Sequence, residues 1–175
     1  MKKINEFDKK CLEMAVLSAE EAFKLGNYPV GAVLAIDNKI IGKAFNEINN
    51  RKSFVYHAEN SLIIKNGKKL AIARKDKNKI VSLYTTLEPC IQCLGSAVTN
   101  HIDRIIYIEK DLNGGACGLK HHNIGIWYKE FWPDIINYRL NNKPSELMIK
   151  YFKKEILKGN IEWPKKMLQL LRCDI

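Results

Sequence analysis

The amino-acid sequence predicts an α/β fold in which helices cover both faces of one sheet. Apolar runs bounded by turn residues alternate along the chain with stretches whose apolar side chains recur at helical spacing. Near the middle, two of these runs flank a helical stretch with short links, an order that indicates a right-handed parallel crossover. The length of 175 residues is that of one domain with a full core.

The N-terminal part of the chain predicts a helix followed by a hairpin. Residues 7–25 place apolar side chains along one stripe, and Gly26 is expected to end that helix. Residues 30–36 and 40–47 are predicted strands joined by a three-residue turn that contains Asp37. Because this connection is so short, we expect the two strands to pair in an antiparallel hairpin.

The middle of the chain predicts the crossover. A helix should run from His57 to Gly67, followed by a charged connector over residues 68–79 that is partly helical. The crossover itself should consist of a buried strand, a helix rich in small apolar residues and a further strand, over residues 81–86, 90–100 and 103–110. The helix predicted from His57 and the helix predicted over residues 90–100 then each begin where a strand, or the loop that follows it, ends.

The last third of the chain contains fewer regular patterns. Residues 111–119 form a glycine-rich loop, which either allows a substrate to approach the backbone closely or simply turns the chain. Residues 120–144 lack a clear period and concentrate aromatic residues. These residues fit either a satellite core, which we favour, or a platform on which bases stack. The histidines outside the motifs described below are expected on the surface: His101, His121 and His122.

The C-terminal residues predict two further helices. Ser145 is a suitable cap for a helix that ends at Gly159, and a short amphipathic helix is predicted to begin at Pro164. We therefore expect one domain over residues 1–159 and a tail over residues 160–175 whose helix docks on it.

Composition and charge narrow the range of partners and compartments. Lys and Arg outnumber Asp and Glu by 29 to 19, and this net charge of +10 favours polyanions such as RNA. A composition rich in Lys, Asn and Ile is also typical of an AT-rich genome, so charge alone leaves nucleic-acid binding open. The sequence has no membrane-spanning apolar run or secretory signal, and its five cysteines lack a pairing pattern. We expect a cytoplasmic protein.

Two short motifs carry the candidate chemistry. His-Ala-Glu at 57–59 and Pro-Cys-Ile-Gln-Cys at 89–93 offer one imidazole, two thiols and one further carboxylate. A structural zinc is closed by four protein ligands, whereas a catalytic zinc uses three and leaves the fourth position to water. Only His57, Cys90 and Cys93 have ligand spacing here, so the sequence predicts a catalytic zinc site.

The residues around these ligands suit the same chemistry. Glu59 follows His57 on the same corner, close enough to exchange protons with a water molecule without binding the metal, as a general acid and base does. Pro89 favours the first turn of a helix, so Cys90 and Cys93 should lie one turn apart with the helix dipole favouring their thiolates. Each motif alone is weak, since a C-x-x-C pair also occurs in redox sites and structural zinc sites. Together they predict zinc.

These motifs resemble the cytidine/deoxycytidylate deaminase superfamily, closest to its branch of tRNA adenosine deaminases and guanine deaminases. The resemblance covers residues 7–119 and rests on five sequences: NYPVGAVLA, KAFNE, YHAEN, TTLEPCIQC and DLNGGACGL. It implies a three-layer α/β/α sandwich with a mixed five-stranded sheet, a homodimer and zinc-dependent hydrolytic deamination of a nucleobase. The branch indicates adenosine to inosine in tRNA as the reaction.

The resemblance also implies roles for single residues. His57, Cys90 and Cys93 match the zinc ligands, and Glu59 matches the proton shuttle. Asn46 matches a position that contacts the base or its sugar. The backbone around Pro29, Val30 and Ala58 is expected to line the pocket. The backbone N–H of Cys90 is expected to polarise the attacking oxygen.

Three departures from the branch leave the substrate open. The strand at 103–110 lacks the expected glycine at its end, Gly118 is followed by Leu119 instead of Ser, and the C-terminus is longer. The alternatives are a deaminase of a free base or nucleoside (guanine, cytosine or adenosine) and a zinc-stabilised binding protein without catalysis. The binding protein requires a fourth protein ligand, either Cys117 or a histidine.

Overall fold

One mixed sheet organises the chain in the computed structural model, which describes residues 4–171 except for the side chain of His121. Its strands are β1 (Gly31–Ile36), β2 (Lys39–Phe45), β3 (Val81–Leu87), β4 (Arg104–Glu109) and β5 (Asp134–Asn137). They lie in the order β2-β1-β3-β4-β5. β1 pairs antiparallel with both of its neighbours, whereas β3, β4 and β5 are parallel. The predicted mixed five-stranded sheet is confirmed.

Seven α-helices accompany the sheet in the described part of the chain. They are α1 (Glu6–Lys24), α2 (Ile48–Arg51), α3 (Ala58–Ala73), α4 (Ile91–Thr99), α5 (Ile126–Glu130), α6 (Lys143–Leu157) and α7 (Glu162–Leu170). None of the helices within residues 4–171 has both the length and the apolar composition that crossing a membrane requires.

The core has two parts, one on each face of the sheet. On one face α1 packs its apolar stripe against alternate residues of β1, including Val33. The intervening residues of β1, including Leu34, face α3 and α4 on the other side. α1 and β1 approach so closely that a Cβ at Gly31 would collide with the backbone carbonyl of Ala15. This arrangement confirms the predicted α/β/α layers.

The hairpin and the crossover form as the sequence predicts. Asp37 and Asn38 both have positive φ, of 47° and 61°, which is the backbone of the two-residue turns that join twisted antiparallel strands. β3, α4 and β4 follow one another with short links, and β3 pairs with β4 in parallel. The carboxyl end of β3 therefore leads directly into the first turn of α4.

α3 is longer than predicted. It continues through Gly67 to Ala73 instead of ending at the glycine. Leu70 and Ala73 are buried on the face that also buries Leu62, and this burial outweighs the cost of about 1 kcal/mol that a glycine imposes inside a helix. The predicted helix end at Gly67 is wrong for that reason.

The start of α6 also differs from the prediction. The helix begins at Lys143, two residues before Ser145, and Pro144 occupies its first turn. The Ser145 hydroxyl donates a hydrogen bond to Glu109 at 2.6 Å and so joins α6 to the end of β4 instead of capping the helix. Gly159, with φ of 94°, follows the helix end as predicted.

The tail contains a docked helix. α7 begins at Glu162, two residues earlier than the predicted start at Pro164. Met167 and Leu168 are buried in the same core as the sheet and α6. Residues 172–175 of the predicted tail lie outside the described residues.

Candidate active site and metal centre

Three side chains from two helix starts converge on one point. His57 immediately precedes α3, Cys90 immediately precedes α4, and Cys93 lies in the first turn of α4. His57 Nδ1 is 3.6 Å from Cys90 Sγ and 3.5 Å from Cys93 Sγ. The three candidate ligand atoms all lie within 4.8 Å of one another.

These distances fit a tetrahedral zinc ion. Bonds of about 2.0 Å to nitrogen and 2.3 Å to sulfur place such ligands about 3.6 Å apart. The mixed nitrogen and sulfur donors are also those that zinc prefers. Among the described residues this cluster has three members, and Cys117 is not one of them. The fourth ligand that a purely structural zinc requires is thus not found among the described side chains, which do not include that of His121.

The pKa values of the two thiols shift in opposite directions. Hydrogen bonds from the Cys93 thiol, from His57 and from the Cys93 backbone N–H lower the pKa of Cys90 to about 4, against the opposing effect of burial. Donation to Cys90, together with burial, raises the pKa of the Cys93 thiol. Cys90 therefore forms a thiolate readily beside His57, whereas metal binding has to displace the proton of Cys93.

Glu59 lies beside this cluster without belonging to it. Glu59 is 3% exposed, and burial raises the pKa of its carboxyl group. Its Oε1 accepts a hydrogen bond of 3.2 Å from the Thr85 hydroxyl, and Oε2 is 3.6 Å from Cys93 Sγ. Burial makes the neutral form of this carboxyl accessible, so the group is suited to taking up a proton and releasing it.

A cavity of about 90 Å³, the site cavity, adjoins these groups. Five residues expected from the sequence line it: Val30, Asn46, His57, Glu59 and Cys90. Cys93 is fully buried behind them, and the other two expected residues, Pro29 and Ala58, are buried outside the lining. The backbone N–H of Asn46 donates to the Val30 carbonyl, and its Oδ1 accepts from the Ile48 N–H, so Nδ2 is the donor that remains for a ligand.

Five further lining residues were not expected from the sequence: Tyr28, Ile48, Leu87, Glu88 and Asp111. Glu88 fixes the glycine-rich loop over the cavity. Its Oε2 accepts from the Asp111 N–H and its Oε1 from the Cys117 N–H, at 3.2 and 2.9 Å. A Cβ at Gly115 would come within 2.5 Å of the Glu88 carboxyl carbon, so this close approach requires glycine. In the sequence, the position of Glu88 directly before Pro89-Cys90 was the signal that could have identified it.

Tyr28 joins the cavity to the C-terminal helices. Its ring centroid is 5.4 Å from that of Tyr151, 5.7 Å from that of Phe152 and 6.0 Å from that of Trp163. Its hydroxyl is 3.8 Å from Met148 Sδ. α6 and α7 therefore support one wall of the site cavity.

Comparisons with known proteins agree with this geometry. Residues 5–109 match the family model described as the cytidine and deoxycytidylate deaminase zinc-binding region. The tRNA-specific adenosine deaminase of Haemophilus influenzae is 31% identical over 159 residues, which cover 90% of each chain.

Solved structures show the same fold. One, from a study of A-to-I editing by tRNA:A34 deaminases at the wobble position of transfer RNA, has a TM-score of 0.63 and 25% identity, covering 79% of this chain and 98% of that one. The guanine deaminase of Bacillus subtilis has a TM-score of 0.53 and 30% identity, covering 61% of this chain and 66% of that one.

Proposed function

Because the chain belongs to the cytidine and deoxycytidylate deaminase family, we propose that it is a zinc-dependent hydrolase that converts adenosine to inosine in tRNA. The observation that carries the proposal is the position of Glu59. Its buried carboxyl group borders the three-ligand cluster and the site cavity, but it is not a member of the cluster. A proton carrier is therefore present where the reaction needs one.

His57, Cys90 and Cys93 are the residues that would hold zinc. Zinc supplies Lewis acidity, which lowers the pKa of water toward neutrality. Glu59 Oε2 accepts one proton of the attacking water and passes it to a ring nitrogen of the base. It then transfers the proton of the added hydroxyl to the amino group, which leaves as ammonia while the carbonyl forms. Thr85 holds Oε1 and so orients the carboxyl group.

The remaining site residues position the substrate in this proposal. Asn46 Nδ2 donates to the base or its sugar, and Val30 forms part of the pocket wall. The Cys90 backbone N–H, at the start of α4, donates to the attacking oxygen as negative charge develops on it.

The choice of tRNA rests on the relatives and on charge. The relative from Haemophilus influenzae, matched over most of both chains, is named as a tRNA-specific adenosine deaminase. The chain carries a net charge of +10, and lysines are exposed on the helices that support the cavity wall, among them Lys150, Lys153, Lys165 and Lys166. A charged RNA backbone therefore meets favourable charge near the site.

Inosine formation tests the proposal. Zinc-loaded protein incubated with bulk tRNA should produce inosine, detected by mass spectrometry after nuclease digestion. Glu59→Gln should lower the rate by about 10² to 10⁴-fold, the usual contribution of a general acid and base, while zinc content stays unchanged. Full activity of Glu59→Gln would contradict the assigned role.

A free base or nucleoside is the second candidate substrate. The 30% identity to a guanine deaminase and the small site cavity of about 90 Å³ favour it. Ammonia release should be compared for adenosine, guanine, guanosine, cytosine, cytidine and tRNA. Release from one small molecule, unaffected by salt, would establish this second candidate, because RNA binding weakens steeply with salt.

We also propose that the chain is a cytoplasmic homodimer. Cys90, Cys93 and Cys117 form no disulfide, and cysteines without disulfides are typical of a reducing compartment. Phe54 and Ile91 expose 80% and 65% of their surface beside the two metal motifs, which a second copy would cover. Sedimentation equilibrium should give twice the mass of one chain, and Ile91→Asp should shift it toward the monomer. A monomeric wild-type protein would contradict the proposal.

A further inference from the structure

A second cleft, much larger than the site cavity, lies at the opposite end of the sheet. We call this cleft of about 470 Å³ the distal cleft; among its lining residues are Arg74, Lys77, His101, Phe131 and Trp132. It adjoins Val81, the first residue of β3, whereas the metal motif follows Leu87, the last. Six strand steps of about 3.3 Å separate these ends by about 20 Å. The volume is that of a pocket for a small ligand.

Phe131 and Trp132 are the aromatic residues in the lining of the distal cleft, and Trp127 adjoins the cleft through its contacts with His101 and Phe131. The ring centroid of His101 is 4.0 Å from that of Phe131 and 5.4 Å from that of Trp127. Trp127 and Tyr128 pack edge to face at 5.2 Å and remain 39% and 44% exposed. Part of the aromatic-rich stretch at residues 120–144 therefore lies at the surface as a group of rings. The satellite core favoured from the sequence does not include these rings.

Cations also line the distal cleft. Arg74 and Lys77 line the distal cleft, and a second cavity that shares Arg74 and His101 adds Lys75. Among the described residues, Arg74, Lys75 and Lys77 form no ion pair. Lys79 differs, because it is paired with Asp37 at 2.7 Å.

The carboxylates of the distal cleft are partly engaged by the backbone. Asp103 accepts a hydrogen bond from the Val81 N–H at 2.7 Å, and Asp76 accepts from the Asn78 N–H at 3.0 Å. Glu130 is the third carboxylate of the lining. These three carboxylates equal in number the three cations of the lining, Arg74, Lys77 and Lys79, and Lys75 of the adjoining cavity adds one further positive charge.

His101 adds an unused polar atom. It has a left-handed backbone with φ of 55°, and its Nε2 is inaccessible without a hydrogen-bond partner among the described residues. We expected a solvated or locally bonded surface histidine, whereas the ring packs against Phe131. A buried polar atom without a partner in a native structure calls for a ligand, an ion or a water molecule.

We propose that the distal cleft binds one nucleotide unit of a single-stranded RNA, with the base against the rings near Trp127 and the phosphate beside Arg74 and Lys77. Stacking of a base on aromatic rings and neutralisation of its phosphate by cations are the two components of single-strand recognition. This second contact goes beyond the proposed deamination, because it needs no chemistry in the site cavity.

Binding of a non-substrate RNA tests this proposal independently of catalysis. Fluorescein-labelled octauridylate has no exocyclic amino group to remove, and fluorescence anisotropy gives its affinity for the zinc-loaded full chain. Lys77→Glu should weaken binding about tenfold through loss of a phosphate contact. Trp127→Ala should weaken it about five- to hundredfold through loss of stacking. Glu59→Gln should bind like the wild type, which separates this test from that of the catalytic role.

Matched controls distinguish the cleft from general charge. Lys10→Glu makes the same charge change on the exposed face of α1, on the other side of the sheet, and should alter affinity less than about twofold. Thermal melting and circular dichroism should show that each variant is folded. Equal loss in Lys77→Glu and Lys10→Glu, or no loss in Lys77→Glu and Trp127→Ala, would overturn the proposal.

Competition separates a polymer from a free nucleotide, since both offer a base and a phosphate. Uridine 5′-monophosphate should displace the octamer only at concentrations well above those at which unlabelled octauridylate does. Equal potency of the two competitors would assign the distal cleft to free nucleotides and would overturn the RNA part of the proposal.

Discussion

His57 and Cys90 reach the same point because each is the residue from which a helix begins. Their backbones are extended, with ψ of 155° and 173°, and the helices that follow are anchored in one core. The spacing of His57, Cys90 and Cys93 was enough to predict zinc, and this prediction is confirmed. Tyr28 could not be found in this way, because its contacts are with residues far along the chain, whereas the position of Glu88 directly before Pro89-Cys90 was a signal that the spacing of the ligands does not include.

Glu88 gives a prediction at this scale. Glu88→Gln should reduce kcat/KM for the deamination about tenfold, because an amide can accept only one of the two backbone hydrogen bonds that hold the loop at Asp111 and Cys117. Zinc content, measured by plasma emission, should stay at the wild-type value. Glu13→Gln, on the exposed face of α1, is the matched control. A loss of zinc together with activity would show that Glu88 supports the metal ligands instead.

At the scale of helices and strands, periodic patterns predicted where elements lie better than where they end. α1, the hairpin and the crossover follow from apolar spacing and turn residues within short windows. β5 could not be placed, since four residues at a sheet edge carry no measurable period. The extension of α3 beyond Gly67 depends on burial of Leu70, which only the folded chain reveals.

Gly67 permits a direct test of this explanation. Gly67→Ala should raise the free energy of unfolding by about 1 kcal/mol, because the position is helical and a Cβ there meets no atom within 4 Å. Gly31→Ala should lower it, since a Cβ would collide with the Ala15 carbonyl. Urea denaturation measures both changes. Stabilisation by Gly31→Ala would contradict the close packing of α1 on β1.

Asp8 joins three elements through a buried network. It is fully buried, accepts two hydrogen bonds of 3.1 Å from Arg104 and one of 2.7 Å from the Tyr84 hydroxyl, and belongs to the capping box with Asn5. Burial would raise the pKa of Asp8, but the hydrogen bonds from Arg104, the Asn5 backbone and Tyr84 outweigh it and lower the pKa below 3.8. The carboxylate is thus the form that stabilises the folded state.

The lowered pKa of Asp8 predicts how the free energy of unfolding depends on pH. The stabilisation from Asp8 is fully present above the pKa of the unfolded chain, about 3.9, and is lost as the pH falls through the lower folded pKa. Asp8→Asn should lower the free energy of unfolding at pH 7 by about 3 kcal/mol. Below about pH 4, the free energy of unfolding of Asp8→Asn should fall less steeply with pH than that of the wild type. Urea titrations from pH 7 down to pH 3 measure both, and parallel curves would contradict the assignment.

At the scale of the whole molecule, the two ends of the sheet differ in form. The carboxyl end of β3 holds the small site cavity beside the metal ligands, and the other end holds the larger distal cleft. Tyr28 connects α6 and α7 to the wall of the site cavity, and lysines are exposed on these two helices. The net charge is therefore expressed on surfaces that an RNA longer than one nucleotide can contact.

Charge reversal on α6 tests the contribution of this surface. Lys150→Glu combined with Lys153→Glu should raise KM for tRNA about tenfold or more and reduce its salt dependence, because phosphate contacts release counterions. Any turnover of free adenosine should be unchanged, since neither lysine lines the site cavity. Inosine formation at several salt concentrations measures the effect. Equal losses for tRNA and adenosine would indicate damage to the fold instead.

The shared wall at Tyr28 has an evolutionary consequence. Chemistry depends on the two helix starts that hold His57 and Cys90, whereas the shape of the cavity also depends on rings contributed by α6 and α7. Mutations in the C-terminal helices can therefore retune substrate preference while the metal motifs stay constant. Lineages that share the reaction can diverge in what they act on by remodelling the end of the chain, without passing through an inactive ancestor.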